Sequence, residues 1–165
     1  GGLQMLGVKL KDPLGIESSD MEKETDEIEG LKLLPLETIF KKEKSRHNRE
    51  AQVHWPSKCL VNGFELHHGV TNPTNLFSTS MRPISEDTSL GYFYCTQNSG
   101  IIAGTYLHGI FENGKWRRLW INELRKKKQL TTLPINKRNH EIERDNVIKR
   151  LVASFEEHID LSLII

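Results

Sequence analysis

The sequence has no apolar run near the roughly 20 residues that a membrane-spanning helix needs, and no signal-peptide pattern at its start. It contains only two cysteines, Cys59 and Cys95, which are too few for a disulfide scaffold and typical of a reducing compartment. Its 23 Lys and Arg residues are nearly balanced by 22 Asp and Glu residues, without the basic excess typical of nucleic-acid binding. We therefore expect a cytoplasmic protein with neither a membrane nor a nucleic-acid partner.

The sequence also lacks a glycine-rich phosphate loop, so no ATP site is predicted within this chain. Two of its seven histidines, His67 and His68, are adjacent. Neighbouring residues of a strand point to opposite faces and do not readily share one ion. We therefore predict no metal site and no cofactor in this chain.

What the sequence does contain is a set of strand-like segments followed by helical ones. We predict one or two strands between Gly30 and Phe40, broken at Pro35, and further strands near 60–70, 90–94 and 100–107. The polar stretch 17–29 favours a loop or short helix, 41–50 an exposed hairpin or loop, and 72–89 a long loop. Apolar stripes after residue 113 predict two C-terminal helices, the first opened by Asn113. The overall pattern is that of a single α/β domain.

Alternation in the second strand region separates two sets of side chains. Phe64, Leu66 and His68 share one face, and Glu65 and His67 share the other. The apolar pair predicts that the first face is the core side and the Glu65 face the opposite side. Gly63 is expected to mark a turn.

His108 is a candidate for chemistry because it follows a predicted strand and precedes a glycine. In α/β folds, catalytic side chains are concentrated on loops at the ends of strands. A single histidine is more often a hydrogen-bonded polar group without a catalytic role. The local sequence alone leaves both interpretations open.

Four ordered segments resemble the glutamine amidotransferase domain of the cobyric acid synthase family. The most specific is Gly-Thr-Tyr-Leu-His-Gly-Ile-Phe-Glu-Asn at 104–113, which resembles the family's histidine segment. Asn-Gly-Phe-Glu-Leu-His-His-Gly at 62–69, the Leu-Leu-Pro segment at 30–40 and Asp-Pro-Leu-Gly-Ile-Glu at 12–17 resemble the others. The resemblance implies a flavodoxin-like class I glutamine amidotransferase sandwich, incomplete at its N-terminus.

The first seven residues, Gly-Gly-Leu-Gln-Met-Leu-Gly, match the segment directly after the nucleophilic cysteine in such enzymes. The resemblance implies that this cysteine immediately precedes Gly1. Residues 1–165 would then be the C-terminal part of a glutaminase domain, without the family's ATP-binding synthetase domain. Alternatively, the two glycines at the start are left from an expression tag, but the match of the residues that follow them would then be a coincidence. Cys59 and Cys95 lack the glycine-flanked turn of a nucleophile and are expected to be inert.

The resemblance also implies roles for individual residues. His108 is expected to exchange protons with the thiol and the departing ammonia, and the backbone N–H of Gly1 to stabilise the oxyanion. Gln4 is expected to help hold glutamine. Many amidotransferases carry a glutamate two residues after the histidine, where this chain has Ile110. Glu65 is therefore our candidate for orienting His108, and His67 is a weaker second candidate that we also expect to bind the substrate. For both residues, a purely structural role in a hydrogen-bond network is equally expected.

The activity implied is release of ammonia from glutamine for amidation of a corrinoid held by the synthetase domain, with ATP and Mg bound there. The partners implied are glutamine and, through that domain, adenosylcobyrinic acid a,c-diamide. Two alternatives remain open. One is another amidotransferase of this architecture, such as an a,c-diamide synthase or a cell-wall amidotransferase subunit. The other is a non-catalytic module that binds a partner through its basic segment 114–150, although such a segment is more often a solvated helix surface.

Overall fold

The computed structural model describes residues 1–17, 27–74, 80–96, 100–135 and 140–159. The chain forms two compact units, Gly1–Ile110 and Phe111–Ile165. The described residues form strands and helices in a mixed architecture that includes one parallel strand pair, so the predicted α/β class is confirmed. Within the described ranges, no helix has the length and apolarity needed to cross a membrane.

The first unit begins with the short helix α1, Gly2–Leu6, and contains a four-stranded sheet. The order of strands across this sheet is β2-β1-β3-β4, where β1 is parallel to β3 and the other pairs are antiparallel. The strands are β1 (Lys9–Lys11), β2 (Glu27–Glu29), β3 (Leu36–Val53) and β4 (Cys59–Pro73). β2 corrects the expected loop or helix at 27–29, while 18–26 lie outside the described residues.

A long β3–β4 ladder dominates this sheet and overturns one expectation. The charged segment 41–50 belongs to strand β3, which pairs with β4 from Leu36 to Val53 apart from a shift between Ile39 and Lys44. The predicted hairpin or loop is therefore wrong. Backbone pairing with β4 holds this segment extended, and its charged side chains remain largely exposed because they project from a sheet surface.

A second, antiparallel sheet has the order β5-β6-β7. Its strands are β5 (Met81–Pro83), β6 (Gly91–Cys95) and β7 (Ile101–Thr105). The latter two confirm the strands predicted at 90–94 and 100–107, and residues 97–99 between them lie outside the described residues. β5 lies in the segment expected to be a loop, which includes the undescribed residues 75–79.

The core of this unit joins α1 to both sheets. Leu3 of α1 packs with residues that precede or open β3 and with tyrosines of the second sheet region, all buried: Leu34, Leu36, Tyr92 and Tyr106. Helix α1 also lies directly over β7, because a Cβ at Gly104 would come within 2.9 Å of both Leu3 Cδ1 and Leu6 Cδ1. Burial of this apolar cluster fixes the N-terminal residues next to the segment that leads to His108.

The core side of β4 is the reverse of the predicted one. Phe64 and Leu66 are 45% and 41% exposed, whereas Glu65 is 2% exposed. Glu65 and His67 do share a face, as predicted, but it is the face that also buries Val61 and Thr71. The prediction placed Phe64 and Leu66 in the core because both side chains are apolar. It was wrong because a carboxylate such as that of Glu65 can be buried when a cation pairs with it.

The second unit contains helices α2 (Gly114–Lys127) and α3 (His140–His158), as the apolar stripes predict. Asn113 is the N-cap residue of α2. The Asn122 side chain holds the chain after this helix by donating to the Leu133 carbonyl and accepting from the Leu133 N–H, both at 2.9 Å. The stripe on α3 is exposed in this structure.

Candidate functional site

The start of α1 is held against strand β4 through Gln4. The Gly1 nitrogen donates to Gln4 Oε1 at 3.0 Å, and Gln4 Nε2 donates to the His68 carbonyl at 2.7 Å. Gln4 is only 5% exposed, so its amide is committed to these partners and shielded from water. This contact spans 64 positions of sequence and places the first residues of the chain beside residues 64–69 of β4.

His67 lies in a constrained, mostly buried position on β4. Its ring stacks on that of Tyr106 with 3.6 Å between centroids, and its Nδ1 donates to the Gly69 carbonyl at 3.2 Å. Burial lowers the pKa of His67 most, against the opposing effects of the Glu65 charge and the Gly69 carbonyl, and the charge of His108 lowers it further. His108 is therefore within electrostatic reach of this ring.

His108 follows β7 and is fixed by its backbone to β4. Its N–H donates to the Phe64 carbonyl at 2.8 Å, and its carbonyl accepts from the Phe64 N–H at 3.1 Å. The imidazole is exposed and stacks on the Phe64 ring, with centroids 4.9 Å apart and planes 11° apart. Among the described residues it accepts no side-chain hydrogen bond, so the aromatic ring of Phe64 and the backbone orient it.

Gly63 explains how His108 approaches the strand so closely. A Cβ at this position would press into the His108 carbonyl oxygen and lie 2.8 Å from Leu107 Cδ1. The residue is internal to β4, so the predicted turn at Gly63 is wrong. Glycine within a strand often marks a close approach of another backbone, which is its role here.

Glu65 is paired with Arg49 of strand β3. The Arg49 Nε lies 2.8 Å from Glu65 Oε2, the Ser45 hydroxyl donates to the same oxygen at 3.5 Å, and His67 Nε2 lies 4.0 Å from Glu65 Oε1. In the described part of the chain, no hydrogen bond or ion pair is seen between Glu65 and His108. The structure thus places Glu65 beside His67, and not in a hydrogen bond with His108, the histidine that it was expected to orient.

Replacement of Arg49 should show how much burial of the unpaired Glu65 carboxylate destabilises the fold. We expect Arg49→Met to reduce the free energy of unfolding by about 1–3 kcal/mol, because it leaves a desolvated charge with the weak Ser45 hydrogen bond and the His67 ring nitrogen 4.0 Å away. Urea denaturation of the chain measures this. Arg46→Met, an exposed arginine of the same strand, is the matched control, and the double variant Arg49→Met/Glu65→Leu should recover stability. A single Arg49 variant as stable as the Arg46 control contradicts the pairing.

Tyr106, which the sequence analysis did not single out as a site residue, contacts several elements at once. It is 5% exposed, its hydroxyl hydrogen-bonds Thr71 of β4 at 2.5 Å, and Thr71 in turn bonds Thr38 of β3 at 2.6 Å. Burial raises the pKa of Tyr106, and the neighbouring polar side chains of Thr71, Gln4 and Thr38 oppose that rise. The only sequence signal for this role is its position two residues before His108 within the 104–113 segment.

A cleft of about 320 Å³ opens beside His67, within the size range of small-molecule sites. Glu65, His67, Thr71 and Tyr106 form its inner wall. Residues of β3 line another part of the cleft, and three of them are lysine or arginine: Lys41, Glu43, Lys44, Ser45, His47 and Arg49. The cleft therefore combines buried hydrogen-bonding groups with charged side chains of β3, which suits a small polar ligand.

The structure gathers the predicted site residues around one stretch of β4. Gly1 and Gln4 reach it through the His68 carbonyl, Glu65 and His67 belong to it, and His108 is bridged to it through Phe64. Cys59 is buried and Cys95 is exposed at the end of β6, and neither belongs to the residues gathered at this stretch.

Comparison with known proteins agrees with this arrangement. Residues 1–116 match the CobB/CobQ-like glutamine amidotransferase domain. A protein named cobyric acid synthase from a strain of Prochlorococcus marinus is 48% identical over 165 residues, covering 100% of this chain and 32% of the relative. One of the same name from a strain of Synechococcus is 43% identical over 165 residues, covering 98% of this chain and 32% of that relative.

The chain thus spans about a third of the length of these curated relatives. The family match covers well over half of the chain, and it includes every residue gathered around β4. The resemblance inferred from the four sequence segments is confirmed. The chain belongs to the CobB/CobQ-like glutamine amidotransferase domain family.

Proposed function

We propose that this chain is the glutaminase portion of a cobyric acid synthase, releasing ammonia from glutamine for amidation of a corrinoid. The observation that carries the proposal is the hydrogen bond from Gln4 Nε2 of α1 to the His68 carbonyl of β4. It holds the residue expected to follow the nucleophile beside the same strand that anchors His108. The names of the curated relatives support the substrate class.

In the proposed reaction, the thiol of a cysteine preceding Gly1 transfers its proton to His108, and the sulfur attacks the amide carbon of glutamine. The backbone N–H of Gly1 donates to the oxyanion that forms. As the C–N bond breaks, His108 returns a proton to the departing ammonia. Water, deprotonated by His108, then hydrolyses the thioester to glutamate and restores the thiol.

The remaining residues have supporting roles in this proposal. His67 holds the substrate, whereas the buried amide of Gln4 holds α1 against β4 and so sets where the substrate meets this helix. Glu65 acts through His67, which lies 4.0 Å from its Oε1, rather than by direct contact with His108. The ATP and Mg needed for amidation belong, in this proposal, to a separate synthetase domain, where the corrinoid diamide also binds.

The glutaminase proposal predicts a contrast between two preparations. The 165-residue chain alone should release no glutamate from glutamine, because neither Cys59 nor Cys95 is in place to act as the nucleophile. The full-length product of the gene should hydrolyse glutamine. Measurement of glutamate in preparations free of other amidotransferases tests this, and turnover by the 165-residue chain contradicts it.

The codon that precedes Gly1 in the gene provides an independent test. A cysteine codon, itself preceded by a strand-like segment, supports the enzyme. A start codon at that place favours the non-catalytic binding module. The identity of any upstream domain separates cobyric acid synthase from the other amidotransferases of this architecture.

A further inference from the structure

Helix α3 carries an apolar stripe that the proposed chemistry does not use. Its members recur at helical spacing, which places them on one side of the helix. Each of them is between 39% and 58% exposed: Ile148, Leu151, Val152, Phe155 and Ile159. Ile159 directly follows α3 and continues its turn, because its N–H donates to the Phe155 carbonyl at 2.8 Å. The stripe is therefore a continuous apolar face in the C-terminal half of the helix.

A helix of this kind needs a surface to pack against. α3 has 19 residues, and protein helices obtain most of their stability from burial of an amphipathic face rather than from intrinsic propensity. The β-branched residues Val147, Ile148 and Val152 lower the propensity of this segment further. Burial of the stripe is thus what should hold α3 together in the functional protein.

A second copy of α3 is a poor partner for this stripe. Helices that pair as a coiled coil need apolar heptad positions over about three to four heptads. The stripe runs only from Ile148 to Ile159, which is less than two heptads. One heptad before Leu151 and Val152, the equivalent positions hold the charged residues Arg144 and Asp145. A pair of α3 helices would therefore bury too short a seam to be stable.

A membrane surface is also a poor partner. Helices that lie on membranes are rich in lysine and arginine on their polar face. Among the described side chains of α3, acidic residues outnumber basic ones: Glu143, Asp145, Glu156 and Glu157 against Arg144, Lys149 and Arg150. A polar face of mixed charge is instead typical of the rim of a protein–protein contact.

The longer relatives indicate what covers the stripe. The Prochlorococcus relative is aligned with 100% of this chain, so the alignment includes α3, yet the chain spans only 32% of that relative. The match to the amidotransferase domain family ends at residue 116, before α3 begins. Two thirds of the relative's length is therefore available as a packing surface beyond the residues that this chain provides.

We propose that the apolar stripe of α3 docks on the part of the full-length protein that precedes Gly1. The matched segment is the C-terminal part of the relatives, so the rest of the polypeptide lies on that side. The surface that receives α3 is apolar at its centre and has charges of both signs around it, to complement the polar face of the helix. This inference concerns how the full-length protein is assembled and does not depend on the glutaminase reaction.

The test compares the reactivity of Val152→Cys toward a maleimide in the full-length protein and in the 165-residue chain. Cysteine behaves as a small apolar residue, so the substitution preserves the stripe. We expect labelling to be at least about 100-fold slower in the full-length protein, because the thiol is reached only when the docked face opens. Mass spectrometry of the α3 peptide separates this thiol from the other cysteines. Ser154→Cys, an exposed position away from the stripe, is the matched control and should label within about 3-fold equally in both.

A charge within the stripe provides a second measurement in the full-length protein. We expect Phe155→Asp to accelerate hydrogen exchange of the α3 amides by at least about 30-fold, because it undocks the helix. Ser154→Asp introduces the same side chain one residue away and should change this exchange by less than about 3-fold. Exchange in Phe155→Asp equal to that in the Ser154 control contradicts the docking of this face.

The labelling experiment separates the other possible occupants. Equal labelling of Val152→Cys in the two preparations overturns the inference, since the stripe is then either open in both or covered within the 165-residue chain itself. Slow labelling of the full-length protein that becomes fast on dilution assigns the stripe to a second copy and also overturns it. Because the readout needs no turnover, a full-length protein without glutaminase activity overturns the proposed function alone.

Discussion

Replacement of His108 by asparagine is expected to lower kcat for glutamine hydrolysis by about 10²–10⁴-fold, the range for loss of a general acid–base group. Asparagine has no basic nitrogen, so it neither accepts the thiol proton nor returns one to ammonia. The two hydrogen bonds that hold this residue to Phe64 use only backbone atoms and survive the substitution. The variant should therefore fold normally and be measured by steady-state glutamate release from the full-length protein.

Two comparisons make the His108 result specific. His54→Asn replaces an exposed histidine outside the site, at a position likewise held through its backbone N–H, and should retain full activity. When free ammonia replaces glutamine, the His108 variant should amidate the acceptor at the wild-type rate, because the synthetase step does not use this imidazole. Glutamine hydrolysis within about 3-fold of wild type would remove His108 from the mechanism.

The helices of the chain were predictable because their signals are local. Trp116 and Trp120 repeat at helical spacing beyond Asn113, and α2 begins at the next residue, Gly114. The same holds for β6 and β7, which are short apolar runs with clear ends. The residues that determine such elements lie close to one another in the sequence, so the sequence alone is sufficient to predict them.

The extended form of 41–50 was not predictable in this way. Its charged side chains are typical of a loop, and only the backbone pairing with β4, for example Lys44 with His68 and Glu50 with Asn62, makes it a strand. That pairing is non-local and leaves no trace in the composition of the segment. The burial of Glu65 has the same origin, because its partner Arg49 lies 16 positions away on another strand.

The candidate site was predictable through motifs and not through physics alone. The sequence analysis assigned five residues to the site with the help of the resemblance, and the structure brings them around one stretch of β4: Gly1, Gln4, Glu65, His67 and His108. Their roles remain predictions. The contacts that organise them depend on three-dimensional neighbours: Phe64 as the ring beneath His108, Tyr106 beneath His67 and Arg49 beside Glu65. None of these pairings follows from spacing, because each joins different elements.

Substitution of Gly63 by alanine should damage both stability and activity, although Gly63 carries no functional group. The added methyl group would meet the His108 carbonyl oxygen and Leu107, which are part of the bridge to Phe64. Relief of this overlap requires the His108 backbone to move away from β4. We expect a loss of about 1–3 kcal/mol in the free energy of unfolding and, because the imidazole moves with its backbone, a fall in kcat of up to about 100-fold.

Leu60→Ala is the control for this prediction, because Leu60 is an exposed residue of the same strand outside the bridge to His108. Denaturant unfolding compares the stability of both variants, and glutamate release by the full-length protein compares their activity. The two effects of Gly63→Ala should occur together, since both come from the same displacement of the His108 segment. A variant that loses stability while retaining wild-type kcat would mean that the site tolerates this displacement, and the close packing of His108 on β4 would then serve the fold alone.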